Sequence, residues 1–221
     1  MNSHAKLLLL GLIFFQCSRC DYMGLHLSLE LRIAIKSPTP WLISREDLLS
    51  VLPKNAIVAE IGVAEGQFSN SILSLTDPIK LYLIDCWEEQ SFSIYPEYRP
   101  QPTQDGYYEL VKQKFGRDSR VEIIKEYSDK AAKVFPDNYF DWIYIDGNHV
   151  YEAIKADLES WLPKVKDGGI IAGHDYVVRK DFGIVSAVNE FVKKHDFSIC
   201  YLTMEYQDGV KHPSYAIKVK K

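Results

Sequence analysis

Short apolar runs rich in β-branched residues alternate along the chain with segments of helical periodicity. Runs that are apolar at almost every position are typical of strands buried on both faces of a parallel sheet. Helices between such strands cover the two faces. The pattern therefore predicts a doubly wound α/β fold with a mostly parallel sheet of about seven strands. The predicted strands are residues 56–61, 79–84, 121–124, 142–145, 170–172, 197–203 and 215–219.

Segments with a helical pattern lie between most of these strands. Residues 150–162 carry an apolar stripe with charged side chains on the opposite face, which predicts an amphipathic helix. A turn at residues 167–169 is expected to lead from it into the next strand. A short helix at residues 44–51 would begin with a capping box of Ser44 and Asp47. Further helices are predicted at residues 68–75, 106–115, 129–135 and 182–194.

Two connections depart from this alternation. The last two predicted strands are joined through Gln207-Asp208-Gly209, which predicts an antiparallel C-terminal hairpin at the sheet edge. The connection formed by residues 86–120 is unusually long, and long loops in compact domains are commonly functional. Its first half, residues 87–103, is either a lid over a binding site or a loop packed on the surface.

Composition and charge narrow the range of partners. With 47% apolar and 25% charged residues, the chain has the composition of an ordinary globular protein. Its net charge of -4 provides no basic field for a phosphate backbone, so a small neutral or polar molecule fits better than a nucleic acid. The four cysteines are too widely spread for a metal knuckle.

A glycine-containing turn follows the first predicted strand. Residues 60–66 read Glu-x-Gly-x-x-x-Gly and begin with Glu60. Gly62 lacks a Cβ where backbone would approach a ligand, and Gly66 allows tight packing where a helix begins. The spacing differs from the Gly-x-Gly-x-x-Gly of dinucleotide-binding folds, so it favours a nucleoside with an amino-acid tail. A purely structural turn is the alternative interpretation.

An acid ends the second predicted strand. Asp85 stands 25 positions after Glu60 and would accept hydrogen bonds from the two adjacent hydroxyls of a ribose. Ligands of open α/β sheets bind beyond the carboxyl ends of the strands, where both Asp85 and the glycine turn are expected. A solvated aspartate at a strand end is the simpler interpretation.

Acids and imidazoles follow the fourth and fifth predicted strands. Asp146 ends one strand and Asp175 follows its neighbour, so both carboxylates are expected in one crevice with His149 and His174. In one interpretation Asp146, Asp175 and His174 hold Mg²⁺, which lowers the pKa of a substrate hydroxyl. In the other no metal is needed, and His149 or Asp146 is the general base. His149 would also suit a cap of the helix that starts near Val150.

These motifs together resemble the class I S-adenosylmethionine-dependent methyltransferases of the methyltransferase 24 family. The resemblance extends from about Leu52 to the C-terminus. It implies a seven-stranded Rossmann-like methyltransferase fold, S-adenosylmethionine as the methyl donor and often an O-methyl product, as in the related sugar O-methyltransferases of macrolide biosynthesis. The motifs that carry it are residues 60–66, Leu83-Ile84-Asp85, residues 141–151 with Ile-Asp-Gly-Asn-His, and residues 167–176 with Gly-His-Asp-Tyr.

The resemblance also implies which residues contact the cofactor. Ser128 stands where a group that contacts adenine is expected, although its position also suits an N-cap of the helix that follows. Trp87 would stack on adenine or line the substrate entrance, with core packing as the alternative. The cofactor-binding residues are thus predicted to be Glu60, Gly62, Gly66, Asp85, Trp87, Ser128 and Asp146.

One motif departs from the metal-dependent relatives. Those enzymes tend to carry two adjacent acids after the fifth strand, where this chain has His174-Asp175. Because Mg²⁺ prefers oxygen ligands, the imidazole weakens the expectation of a magnesium site.

Residues 1–22 form a separate N-terminal segment. Lys6 precedes an apolar run at residues 7–15, a pattern similar to a short signal peptide but too short to span a bilayer. S-adenosylmethionine is a cytoplasmic metabolite, so a cytoplasmic location is expected rather than export. The run is then either a membrane-surface anchor or a segment that is not translated, because translation begins at Met23. Residues 23–221 are predicted to form a single methyltransferase domain.

The leading hypothesis is methyl transfer from S-adenosylmethionine to a hydroxyl of a small polar acceptor. A nicotinamide-dependent oxidoreductase of the same architecture is one alternative, and the glycine spacing disfavours it. A non-catalytic nucleoside-binding protein is the other. No nucleic-acid partner is expected, and association of copies of the chain into a homo-oligomer is compatible with the sequence.

Overall fold

The computed structural model describes residues 39–90, 99–180, 182–207 and 210–221 of the chain. Its strands are β1 (Trp41–Leu42), β2 (Ile57–Ile61), β3 (Lys80–Asp85), β4 (Val121–Lys125), β5 (Phe140–Ile145), β6 (Val165–Gly173), β7 (Ile199–Thr203), β8 (Tyr206–Gln207), β9 (Val210–Lys211) and β10 (Tyr215–Lys218). Eight of them form one sheet in the order β4-β3-β2-β5-β6-β10-β7-β1. All neighbouring strands of this sheet are parallel except β10, which is antiparallel to both β6 and β7.

The predicted α/β class and the mostly parallel sheet are confirmed. The C-terminal strands pair antiparallel as predicted, but β10 lies between β6 and β7 rather than at the edge. The edge strand on this side of the sheet is β1, an additional two-residue strand that is too short to show a periodic pattern. The connection from β7 to β10 contains a separate ribbon of β8 and β9, while Asp208 and Gly209 lie outside the described residues.

The helices of the described ranges are α1 (Arg45–Val51), α2 (Gln67–Thr76), α3 (Gln101–Phe115), α4 (Ser128–Ala132), α5 (Tyr151–Trp161) and α6 (Ile184–Lys194). The capping box of Ser44 and Asp47 is present at the start of α1. The helix predicted from residue 106 begins at Gln101, because proline is well tolerated in a first helical turn. The turn predicted at residues 167–169 lies inside β6, where Gly168 has a φ of 71°.

Apolar side chains on both faces of the sheet pack against these helices. Trp142 and Ile143, neighbours in β5, belong to different buried clusters because alternate side chains of a strand point to opposite faces. The strand order reverses between β2 and β5, since β3 and β4 lie on one side of β2 and the later strands on the other. Ligands of open α/β sheets bind at such a reversal, beyond the carboxyl ends of the strands.

Two predicted segments lie at least partly outside the described residues. Residues 1–22, with the apolar run at 7–15, are outside, as are residues 91–98 of the predicted lid at 87–103. Among the helices of the described ranges, none is both long and apolar enough to cross a membrane.

Candidate active site

The turn after β2 brings the ends of β2 and β5 into close contact. Gly62 has a φ of 88°, and a Cβ on it would lie 2.2 Å from the carbonyl oxygen of Asp146. Gly66, with a φ of 74°, is the N-cap of α2, and a Cβ there would lie 2.6 Å from the ring of Phe115. Glycine is therefore required at both positions by the packing of the turn itself. The sequence predicts that backbone at Gly62 approaches a ligand, and in the structure Gly62 lies close to the backbone at the end of β5.

Asp85, at the end of β3, holds the same turn. Its Oδ2 accepts hydrogen bonds from the backbone N–H groups of Val63 at 2.8 Å and Ala64 at 3.0 Å. Its Oδ1 accepts a hydrogen bond from the N–H of Trp87 at 2.9 Å. A carboxylate offers about four acceptor positions, so about one remains for a ligand hydroxyl. The predicted proximity of Asp85 to the glycine turn is present, together with a structural role that the sequence did not indicate.

A cavity of about 300 Å³ lies beyond the carboxyl ends of β2, β3, β4 and β5. Four predicted cofactor residues line it: Gly62, Asp85, Ser128 and Asp146. Pockets for small molecules range from about 300 to 1,000 Å³, so this cavity is at the lower end of that range. Other lining residues were not singled out from the sequence, and they include Cys86, Gln90, Arg99, Gln104, Ala153 and Asp157.

Glu60, Gly66 and Trp87 are not among the described residues that line the cavity. Glu60 is 2% exposed and accepts a hydrogen bond from the hydroxyl of Ser69 in α2. Burial raises the pKa of Glu60 to about 8. Trp87 is fully buried, donates from its indole N–H to the carbonyl of Ala64 at 2.8 Å and packs on the ring of Tyr108. The structure thus favours core packing for Trp87 and support of the turn for Glu60.

Ser128 begins α4 at the wall of the cavity. The N-cap of α4 is Tyr127, so the prediction that Ser128 caps this helix is wrong, because the chain is already helical at Ser128. The Ser128 hydroxyl accepts a hydrogen bond from the indole N–H of Trp161 at 2.9 Å and is hydrogen bonded to the carboxyl of Asp157. Burial raises the pKa of Asp157 to about 7 despite this bond. Ser128 and Asp157 form a polar wall of the cavity.

The four predicted acids and imidazoles meet at the ends of β5 and β6. His149 Nε2 lies 3.2 Å from Asp175 Oδ2 and 3.9 Å from Asp146 Oδ1. His174 Nδ1 lies 3.6 Å from Asp146 Oδ1 and 3.5 Å from Asp175 Oδ2. Asp146 belongs both to this cluster and to the lining of the cavity. The two predicted parts of the site are therefore adjacent.

His149 is turned towards the cluster and away from the helix that follows it. The N-cap of α5 is Val150, without a side-chain cap, so the capping interpretation of His149 is wrong. The imidazole is 6% exposed, and its centre lies 4.6 Å from the centre of the Phe182 ring. Packing on Phe182 holds the ring in the position from which Nε2 faces Asp175.

Three residues that the sequence did not single out extend the cluster. His212 Nδ1 lies 2.6 Å from Asp175 Oδ1. Arg45, the first residue of α1, has a guanidinium nitrogen 3.6 Å from Asp146 Oδ2, and its Nε lies 3.8 Å from Glu205 Oε1. They come from segments far apart in the chain, which meet where β1 pairs with β7, so no local motif could have identified them.

Burial and opposite charge compete in this cluster. Burial by itself would raise the pKa of Asp146, but the charge of His174 and the nearby imidazole of His149 lower it well below its ordinary value. Burial opposes protonation of His174, yet Tyr144 and the two carboxylates raise the pKa of His174 far above its ordinary value. The pKa of Asp175 is lowered by His174 and other neighbours against the effect of burial. The carboxylates thus stabilise the protonated imidazole of His174, and this imidazole stabilises the ionised carboxylates.

Asp146, His149 and Asp175 each offer one possible metal ligand, and these atoms lie within 4.8 Å of one another. This grouping contains His149 where the sequence suggested His174. Two carboxylate oxygens suit Mg²⁺, whereas an imidazole nitrogen is more usual for transition metals. The donor chemistry is compatible with a divalent cation and is only partly that expected for magnesium.

Residues 59–176 match a protein family described as a methyltransferase domain, which is more than half of the chain. A stretch of 73 residues is 33% identical to an uncharacterized protein of Sinorhizobium fredii. That stretch is 33% of this chain and 8% of the relative, so the match spans only a small part of the relative's length.

Solved structures share the fold at low sequence identity. A Clostridium thermocellum protein assigned as an rRNA methylase has a TM-score of 0.57 and 16% identity, over 80% of this chain and 94% of that one. A Streptococcus mutans protein assigned as a methyltransferase, solved in complex with SAH, has a TM-score of 0.55 and 18% identity, over 79% and 94%. At such identities these structures show a common fold and no common acceptor.

Proposed function

Because the chain belongs to the methyltransferase 24 family and is an S-adenosylmethionine-dependent methyltransferase, we propose that it methylates a hydroxyl of a small polar acceptor. The observation that carries this proposal is the contact of 3.2 Å between His149 Nε2 and Asp175 Oδ2, next to Asp146 in the cavity lining. An imidazole beside a carboxylate is suited to removing a proton from a hydroxyl.

The cavity suits the cofactor in its hydrogen-bonding chemistry. Asp85 would use its remaining acceptor position for a ribose hydroxyl, and the polar wall of Ser128 and Asp157 would face the adenine. Gly62 and Asp146 would border the amino-acid tail. When bound, the cofactor supplies a methyl group on a positively charged sulfur, which a nucleophilic oxygen can attack.

An acceptor hydroxyl would have to lose its proton in order to act as that nucleophile. His149 would accept this proton, while Asp175 would orient the imidazole and stabilise the positive charge that it acquires. Asp146 would hold the hydroxyl beside the cavity. Holding the two reactants in line is expected to supply a large part of the rate enhancement.

A divalent cation is the second way in which these residues could act. Asp146, His149 and Asp175 would hold it, and it would lower the pKa of a bound hydroxyl. The grouping of their ligand atoms within 4.8 Å supports this candidate, with Mg²⁺ as the ion that the two carboxylates favour. His149 would then be a ligand and not a base, so the two mechanisms exclude each other.

The net charge of -4 supports a small acceptor over RNA. The likeness to a protein assigned as an rRNA methylase makes RNA the competing acceptor class to test.

The test combines cofactor binding with turnover. Calorimetric titration with S-adenosylmethionine and S-adenosylhomocysteine is followed by methyl-transfer assays on hydroxylated sugars, phenols and short RNAs. We expect both compounds to bind and His149→Asn to reduce turnover roughly 10²–10⁴-fold without loss of binding. His195→Asn, at an imidazole beside Glu159, is the matched control and should leave turnover unchanged.

Other outcomes of these experiments would indicate a different acceptor or a different function. Methylation of RNA alone would contradict the small acceptor. Binding without turnover on any acceptor would favour a non-catalytic nucleoside-binding protein. Absence of binding, together with a thermal shift induced by NAD, would favour an oxidoreductase.

A further inference from the structure

Arg45 lies beside Asp146, which the cluster shares with the cavity lining, and before the part of the chain that matches the family. Its guanidinium is 3.6 Å from Asp146 Oδ2, and its central carbon lies 4.5 Å from the centre of the Phe68 ring in α2. The backbone N–H of Arg45 donates to Glu205 Oε2 at 3.1 Å. The guanidinium is therefore held between Asp146 and Phe68, and the backbone end of the residue is held by Glu205.

The charged contacts of Arg45 leave its donors available. The distances of 3.6 Å to Asp146, 3.8 Å to Glu205 and 3.9 Å to Glu46 are ion-pair distances, longer than those of direct hydrogen bonds. A guanidinium has five N–H donors in a planar fork that matches a carboxylate. The Arg45 side chain is 21% exposed, so most of it is removed from water. A ligand carboxylate would accept hydrogen bonds from N–H groups of the guanidinium that the neighbouring carboxylates do not contact at hydrogen-bond distance.

The cavity lining reaches Asp146, and Arg45 lies beside that carboxylate, although Arg45 is not among the described residues that line the cavity. In the order of the sheet, its lining follows the ends of four adjacent strands: Ser128 after β4, Asp85 at β3, Gly62 after β2 and Asp146 after β5. Strands are about 4.8 Å apart, so these ends span roughly 14 Å. A nucleoside with its base near Ser128 and its ribose at Asp85 would extend its amino-acid tail past Gly62 to Asp146.

The end of such a tail carries an α-ammonium and an α-carboxylate. Asp146 and Arg45 offer the opposite pair of charges, 3.6 Å apart. We propose that Arg45 binds the α-carboxylate of the cofactor's amino-acid tail, beside Asp146, which faces the α-ammonium. This assignment rests on the proposed placement of the cofactor in the cavity. It makes the N-terminal helix α1 part of the cofactor site.

The test compares two ligands that differ only in the carboxylate. S-adenosylhomocysteine and its decarboxylated counterpart, S-adenosyl-3-thiopropylamine, are titrated by calorimetry into the full chain and into Arg45→Gln. We expect the unmodified protein to prefer S-adenosylhomocysteine roughly 10- to 100-fold, as charge-assisted hydrogen bonds usually allow. Arg45→Gln should lose this preference and bind the decarboxylated ligand about as well as the unmodified protein does. Arg45→Lys should retain part of the preference.

Arg120→Gln is the matched control, because Arg120 is paired with Asp118 and Asp77. It should leave the preference intact. An equal loss of affinity for both ligands in Arg45→Gln and Arg45→Lys would overturn the proposal and make Arg45 a structural residue. If Arg45→Gln kept the preference for S-adenosylhomocysteine and methylated more slowly only those acceptors that bear a carboxylate, the proposal would be overturned. Arg45 would then bind the acceptor and not the cofactor. If the unmodified protein bound neither ligand, the placement of the cofactor itself would fail, which is a different result from a preference that Arg45 does not control.

Discussion

Asp85 accepts a hydrogen bond of 2.8 Å from the backbone N–H of Val63, 22 positions earlier in the chain. This bond ties the end of β3 to the turn after β2, so the acid predicted to bind a ribose also shapes the turn beside it. Recognition of the cofactor and stability of the fold are thus coupled at one side chain.

Replacement of Asp85 by alanine should reduce both properties. Three backbone N–H groups would lose their acceptor, and each that stays unpaired costs about 1–3 kcal/mol. We expect a lower free energy of unfolding in urea and no measurable binding of S-adenosylhomocysteine by calorimetry. Asp105→Ala, at an exposed acid of α3, is the control and should change neither. Unchanged stability of Asp85→Ala would contradict the structural role.

Two glycine-to-alanine variants should act in opposite directions. A Cβ at Gly62 would lie 2.2 Å from a backbone oxygen, in a conformation with a φ of 88°, so Gly62→Ala should destabilise by well over 1 kcal/mol. At Gly106, within α3, a Cβ would meet nothing within 4 Å, so Gly106→Ala should stabilise by about 0.5–1 kcal/mol. Urea unfolding measures both. Equal effects of the two substitutions would rule out the contact between β2 and β5 as the cause.

The buried Glu60 should make stability depend on pH. Burial raises the pKa of Glu60 from 4.5 to about 8, so the folded state binds this proton more tightly than the unfolded chain. The contribution of the neutral carboxyl is complete below pH 4.5 and is lost as the pH rises through about 8. Glu60→Gln cannot ionise, so its unfolding free energy relative to the unmodified protein should increase from about pH 5 to about pH 8. A difference that stays constant over this window would show that Glu60 is not buried in the neutral form.

Chelation distinguishes the two mechanisms proposed for the cluster. If Asp146, His149 and Asp175 hold a divalent cation, dialysis against EDTA should abolish methyl transfer, and added Mg²⁺ or Mn²⁺ should restore it. If His149 acts as the base, turnover should survive dialysis, and His149→Asn should still reduce it. Metal analysis of the protein before and after dialysis checks that any ion was removed.

Strand positions and the residues that follow them could be predicted because they depend on local chemistry. A buried strand needs a continuous apolar run, and this requirement identified the parallel strands that border the cavity. The positions of Gly62, Asp85 and Asp146 then followed from the rule that ligands bind beyond strand ends. The capping box at α1 was equally local, since Ser44 and Asp47 are three positions apart.

Other features depend on distances that no local pattern contains. The strand β1 is two residues long and exists because β7 offers it hydrogen-bonding partners. Ser128 lies inside the first turn of α4 rather than at its N-cap, and the bond that fixes its hydroxyl comes from Trp161, 33 positions away. Trp87 is aromatic and lies near the crevice, but its indole turns into the core beside Tyr108. In each case the deciding partner is remote in sequence.

The sequence by itself determined the class of the fold, the turn after β2 and the acids at the strand ends, because each depends on residues within one element and the turn beside it. Only the tertiary structure decided that His212, Arg45 and Glu205 join the cluster, since their positions follow from the pairing of the first and last parts of the sheet. The physical reason is that charges act through space: a carboxylate influences whichever groups the packed core brings near it, however far apart they are along the chain.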